Sequence, residues 1–195
     1  MEKSLDQNFW NERWEKQQTG WDIGYASTPI VDFMSGYINK EARILIPGCG
    51  NAYEAAFLSE NNFRNITLID ISQVAIEKVK KKFQNDPNIQ IILGDFFEHS
   101  GVYDLIIEQT FFCALDPKLR AQYVNKTHSL LTEEGSLVGV LFGKKFTTEG
   151  PPFGGTKEEY ISLFGLLYNI KKMELCYNSI RPRQGSELFI ELKKS

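Results

Sequence analysis

Arg43-Ile44-Leu45-Ile46-Pro47-Gly48-Cys49-Gly50-Asn51-Ala52-Tyr53-Glu54 is followed, twenty residues beyond its second glycine, by Leu68-Ile69-Asp70-Ile71-Ser72. An apolar strand runs into a glycine turn, then a helix, then a second apolar strand that ends in an acid. That order describes a nucleotide-type ligand site at the carboxyl edge of a parallel sheet. The glycines let the backbone approach a ligand where a Cβ would clash. Asp70 can accept hydrogen bonds from two ribose hydroxyls.

Outward from this stretch, strand and helix signals alternate. Strands are expected at Ile44–Pro47, Ile66–Asp70, Ile89–Leu93, Tyr103–Glu108 and Ser136–Phe142, with helices at Ala52–Glu60, Ser72–Phe83 and Lys118–Leu131 between them. Apolar strands separated by helices argue a parallel sheet covered on both faces. Glu133-Glu134-Gly135 reads as a turn into the fifth strand. A helix at Lys157–Gly165 follows. Two strand-like runs, Lys172–Ile180 and Glu187–Lys193, are split by Arg181-Pro182-Arg183-Gln184-Gly185 and read as an antiparallel pair at the sheet edge. Ahead of the first strand, Asp6–Gln18 reads as a helix, with Asp6 as its cap and Phe9, Trp10, Arg13 and Trp14 at helical spacing. A glycine- and aromatic-rich loop then leads to a short helix that Pro29 opens and that runs to Tyr37. One domain over residues 1–195 is expected, with 1–38 as a cover and 39–195 as the core.

Composition narrows the partners. With 195 residues, 42% of them hydrophobic and 24% charged, the chain can build a core without staples. A net charge of -3 creates no field for a nucleic-acid backbone. Lys78, Lys80, Lys81 and Lys82 read as a solvated helix face that complements the dipole. Cys49, Cys113 and Cys176 lie far apart with no metal-ligand spacing, so no metal site is expected and a reducing, cytoplasmic setting is. No apolar stretch is long enough to span a membrane, and the polar, acidic start is unlike a secretory or transit segment. A small molecule is the expected partner, with no nucleic acid, no membrane and a monomeric chain.

A dinucleotide site asks for a third glycine where Tyr53 stands, so the pyrophosphate fingerprint is incomplete. A second acid follows the third strand, in Gly94-Asp95-Phe96-Phe97. Such a carboxylate accepts from the exocyclic amine of a purine while a ring lies against the base. Capping of a turn by Asp95 and core filling by Phe96 stand as the structural alternative.

This pattern resembles the S-adenosyl-L-methionine-dependent methyltransferases of the doubly wound class. The resemblance implies an α/β fold: a mostly parallel, seven-stranded, Rossmann-like sheet with an antiparallel C-terminal edge strand and an N-terminal helical lid. It implies that Gly48, Cys49 and Gly50 lie against the methionine part, Asp70 and Ile71 at the ribose, and Asp95, Phe96 and Phe97 at the adenine. S-adenosyl-L-homocysteine would be the product.

Four further segments are similar to the thiopurine S-methyltransferase superfamily, including its plant halide/thiol methyltransferase branch. They are Phe9-Trp10-Asn11-Glu12-Arg13-Trp14 leading to Thr19-Gly20-Trp21-Asp22, then Ile46-Pro47-Gly48-Cys49-Gly50, then Glu108-Gln109-Thr110-Phe111-Phe112-Cys113-Ala114-Leu115-Asp116-Pro117, then Gly150-Pro151-Pro152-Phe153. By this resemblance Trp10, Trp14 and Trp21 line the sulfonium region, where an indole face attracts a cation. Helix packing is the plainer role for the same tryptophans. Glu108 and Gln109, at the end of the fourth strand, would bind the methionine ammonium or orient the acceptor. Halide/thiol relatives often carry Asp-Tyr there and thiopurine enzymes Asp-Arg, so Gln109 is a departure. Phe111 and Phe112 would stand at the mouth. Phe153 would face the substrate where halide/thiol relatives often carry tyrosine, and it cannot donate a hydrogen bond. Arg183 would steer an anionic substrate, or be an exposed loop arginine.

The reaction implied is in-line displacement of a sulfonium by a soft nucleophile, most readily a thiol. Alignment and water exclusion carry such a transfer. A thiol with pKa near 8.5 supplies thiolate without a dedicated base. No catalytic acid or base is therefore expected. His99 and His128 read as surface residues, and Cys49 and Cys113 as packing beside the site. Methylation of a halide or chalcogen oxyanion, and a non-catalytic cofactor-binding protein of the same fold, are the alternatives.

Overall fold

Alternation along the first strand serves two cores at once, because successive side chains leave opposite faces of the sheet. In β1 (Arg43–Pro47), Ile44 and Ile46 join one buried cluster and Leu45 the other. The computed structural model describes residues 4–147 and 149–195. Around β1 stand α1 (Gln7–Glu15), α2 (Thr28–Ser35), α3 (Tyr53–Glu60), β2 (Asn65–Asp70), α4 (Gln73–Lys82), β3 (Ile89–Leu93), β4 (Tyr103–Gln109), α5 (Arg120–Leu130), β5 (Leu131–Phe142), α6 (Lys157–Phe164), β6 (Tyr168–Leu175) and β7 (Glu187–Lys194).

The sheet has seven strands in the order β3-β2-β1-β4-β5-β7-β6. The first five run parallel; β7 is antiparallel to both β5 and β6. The reversed strand thus lies one place in from the margin that β6 forms. Residues of α2, α3 and α4 fill the cluster on one face, including Ile30, Met34, Leu58, Ile76 and Val79. Tyr123, Val124, Tyr160 and Phe164 of α5 and α6 fill the other. Each large side chain so buried is worth about 1.5–3 kcal/mol. The chain moves from β1 outward to β3 and then returns to β4 on the far side of β1. This switch point opens a crevice at the carboxyl ends of β1 and β4.

Helix starts follow their caps. Asp6 accepts from Phe9 N at 3.0 Å to open α1, and Ser72 Oγ accepts from Ala75 N at 3.3 Å to open α4. Thr156 and Glu159 form a capping box at α6.

Several boundaries differ from expectation. Helix α1 stops at Glu15, because Gln17 takes a left-handed φ of 54°. Glu133-Glu134-Gly135 is not a turn before β5; β5 already pairs with β4 at Leu131, and an irregularity in that pairing absorbs these residues. β6 begins at Tyr168 and ends at Leu175, where Lys172–Ile180 was expected, and a register shift between Ile170 and Lys172 breaks its alternation. Helix α2, within the expected cover, buries Ile30 and Met34 in the core cluster on one face of the sheet. No described helix is long and apolar enough to cross a membrane, and the described residues hold no metal-binding cluster.

Candidate functional site

The glycine turn after β1 has a left-handed backbone. Gly48 has φ 58°, and a Cβ there would sit 2.3 Å from the Phe111 ring. Gly50 has φ 51°. Ala52 shares that conformation with φ 51°, at a cost of about 1–2 kcal/mol for a residue with a Cβ. Asp70 fastens the turn. Its Oδ2 accepts from Gly50 N at 3.0 Å and its Oδ1 from Ser72 N at 2.8 Å. Burial pushes the Asp70 carboxyl above its ordinary pKa, and these amides oppose the rise.

Above the turn lies a cavity of about 860 Å³, lined by the turn, the ends of β2 and β4, and residues between 4 and 25. Gly48, Cys49, Gly50, Asp70, Ile71, Asp95, Phe96, Phe97, Gln109 and Phe111 all border it, as do Trp10, Trp14, Trp21 and Arg183. Trp10 and Trp14 stand one turn apart on α1, and Trp21 meets both edge-on at 5.5 and 5.8 Å. The Trp14 ring comes within 3.5 Å of where a Gly50 Cβ would lie. The cover is latched at several points. Gln7 Nε2 donates to Ile71 O at 2.9 Å, and Ser72 Oγ to Asn11 Oδ1 at 2.8 Å. Asn51 Nδ2 donates to Asp22 Oδ2 at 2.6 Å. Arg183 Nη2 donates to Trp21 O at 2.7 Å, and Ser27 N to Glu54 Oε1 at 2.9 Å. Lys78, from the basic face of α4, sits 4.8 Å over the Trp14 ring.

Asp95 lies at the cavity and also closes a turn, accepting from Phe97 N at 2.8 Å; Phe96 is at once cavity wall and core. At the end of β4, Gln109 Oε1 is buried and has no hydrogen-bond partner among the described residues. Thr110 beside it holds φ 61°, a strained value for a β-branched residue and one that clusters at functional sites.

Four expectations change. Glu108 does not reach the cavity: it is 0% exposed, and its carboxylate accepts from Phe111 N and Phe112 N at 2.8 Å each and from Tyr123 Oη at 2.7 Å. It braces the floor from below, and burial raises its pKa to about 7. Phe112 packs in the core against Tyr123 and Tyr160 rather than at the mouth. Phe153 faces a neighbouring cavity, while Pro151 and Pro152 of the same segment line the main one. Arg183 is not an exposed loop residue; it is 9% exposed and pairs with buried Glu187 at 3.4 Å.

The remaining nucleophiles are quiet. Burial raises the pKa of both Cys49 and Cys113, with Asp70 and Glu108 adding to the respective rises, so each stays a neutral thiol. His99 and His128 are half-buried rather than at the surface. His99 bonds Tyr103 Oη at 2.7 Å, burial lowering its pKa, and His128 meets the Tyr168 ring edge-on at 5.6 Å. Neither borders the cavity. Asp22, Asn51, Tyr53 and Glu54 also border the cavity and were not among the expected site residues, although Asp22 lies in the Gly20-Trp21-Asp22 loop and the other three in the glycine-turn stretch.

A family model described as thiopurine S-methyltransferase matches residues 5–190. The chain is 32% identical to a probable thiol methyltransferase 2 of Arabidopsis thaliana over 195 residues, covering 95% of this chain and 84% of that protein. It is 26% identical to a thiopurine S-methyltransferase of Pseudomonas fluorescens, covering 87% of each. Among solved structures it is similar to the 1,6-didemethyltoxoflavin-N1-methyltransferase of Burkholderia thailandensis with bound S-adenosylhomocysteine, at a TM-score of 0.81, 15% identity, 97% of this chain and 87% of that one. The magnesium protoporphyrin IX methyltransferase of Synechocystis, also with bound S-adenosylhomocysteine, gives a TM-score of 0.78 at 13% identity, with 97% of this chain and 98% of that one covered.

Proposed function

The chain belongs to the thiopurine S-methyltransferase family, and we propose that it methylates the sulfur of a small thiol with S-adenosyl-L-methionine as donor. The observation that carries this reading is the glycine turn, pinned by Asp70 and roofed by three tryptophans. The residues present suit that cofactor. Asp70 and Asp95 offer carboxylates to hydroxyl and amine donors, the unpartnered Gln109 Oε1 wants an N–H, and the glycines leave room for a close approach. Bound there, the cofactor supplies a methyl group on a positively charged sulfonium.

The protein's own part is alignment and exclusion of water. Indole faces of Trp10, Trp14 and Trp21 stabilise a cation by about 0.5–2 kcal/mol each, more where water is excluded. Phe96, Phe97, Phe111 and Leu115 give an apolar wall against which a thiolate sheds its hydration. Arg183 also lines the cavity, but buried Glu187 balances its charge, and its part is to hold the Trp21 carbonyl in place. No base is needed when the acceptor's own pKa lies near 8.5. Three free cysteines support a reducing, cytoplasmic setting, and a monomer is the assembly we propose.

The test is turnover. The purified protein is incubated with S-adenosyl-L-methionine and a panel of thiols, halides and selenite, and products are read by mass spectrometry. Methyl thioethers are expected. Methylation of halides or selenite alone, or no product with any acceptor, overturns the proposal.

A further inference from the structure

A second cavity, of about 590 Å³, lies beside the main one. Lys118 and Pro152 border both, so the two share a wall. The second cavity is cationic. Among the described residues, Arg120 and Lys145 line it with Glu159, Lys118 stands at the wall shared with the main cavity, and Pro152 and Phe153 give apolar surface. Lys145 is ion-paired to Glu159 at the exposed rim.

Arg120 is held differently. Its Nη2 donates to Gly154 O at 2.9 Å, and its guanidinium stands over the rings of Phe112 and Tyr160 at 5.0 and 5.7 Å. These contacts fix the group in place but leave its Nε buried with no hydrogen-bond partner among the described residues. A buried donor without an acceptor is costly, and an oxyanion seated on the guanidinium edge is the partner it lacks. Arg120 opens α5, which continues from a 3-10 turn over Pro117–Leu119 that Asp116 caps, so the guanidinium and not the helix end is what this place offers an anion.

We propose that this second cavity is a subsite for the anionic group of the methyl acceptor, so that the acceptor is a thiol bearing a carboxylate. Its sulfur enters the main cavity and its carboxylate settles against Arg120, with Lys118 and Lys145 at the sides. The assignment rests on the thiol reading for the sulfur end only; the anion end stands on the cationic cavity.

The probes are 4-mercaptobenzoate and 4-mercaptobenzamide, which match in shape and differ in charge. Their affinities are measured calorimetrically with S-adenosyl-L-homocysteine present, and methyl transfer to each is measured in parallel. The carboxylate is expected to bind about 10-fold tighter than the amide, with the ratio shrinking as salt is raised. The ratio should fall toward one in Arg120→Gln and decrease in Lys145→Gln, an exposed position that leaves packing intact. Equal affinities in the unaltered protein, no binding of either probe, or a ratio unchanged in both variants overturns the subsite. Transfer to both thiols without charge preference sinks the subsite alone. Charge preference without transfer sinks thiol methylation and leaves the subsite standing.

Discussion

Replacing Glu108 by glutamine removes a titration from the middle of the fold. The carboxylate is fully buried and held by two amides and the Tyr123 hydroxyl. Burial is the dominant influence and raises its pKa from 4.5 to about 7. For an acid raised in this way the neutral form is the one the fold prefers. The stabilisation is complete below pH 4.5 and is lost as pH climbs through about 7. At about 1.4 kcal/mol per pH unit across that window, the unaltered protein gives up roughly 3 kcal/mol. Glutamine keeps an acceptor for the Phe111 and Phe112 amides and carries no charge at any pH. Urea unfolding of both proteins at pH 5, 6, 7 and 8 reads the effect. The stability of Glu108→Gln relative to the unaltered chain should rise by roughly 2–3 kcal/mol from pH 5 to 8 and flatten above it. A difference constant within about 0.5 kcal/mol across the series would refute the assignment of Glu108 as a buried brace.

Other outcomes follow from the same geometry. Trp21→Ala should weaken S-adenosyl-L-methionine binding by about 5–30-fold and S-adenosyl-L-homocysteine binding less, since only the former carries a sulfonium charge for the indole to meet; competitive calorimetry checks the difference. Gly48→Ala places a methyl against the Phe111 ring at a positive φ and should cost about 2 kcal/mol or more, read by chemical denaturation. Arg183→Met strands Glu187 without its buried partner and frees Trp21 O; a loss of about 2–3 kcal/mol is expected, together with faster amide exchange over residues 19–25.

Much of the fold was readable because its signals are local. Gly48, Gly50 and Asp70 lie within one strand-turn-helix-strand unit, and their spacing alone brings them to one cavity. The lid tryptophans came with a resemblance that covers the N-terminal helix. What escaped was non-local or depended on parity. Arg183 reaches Trp21 across most of the chain, and Glu54 reaches Ser27 across a helix, a strand and a turn; no spacing rule links them. Glu108 was assigned to the ligand because acids at strand ends often face it. Alternation held the contrary signal: Glu108 shares its face with Ile106, which packs in the Tyr123 cluster. The bounds of β6 were displaced because a register shift interrupts its period of two.

The account turns on the cavity between the glycine turn and the tryptophan cover. Isothermal titration of the purified protein with S-adenosyl-L-methionine, with Asp70→Ala alongside, tests it most directly. Micromolar binding in the unaltered protein, lost in a variant that remains folded by circular dichroism, is the predicted result. No binding in the unaltered protein, or full affinity retained without Asp70, would contradict it.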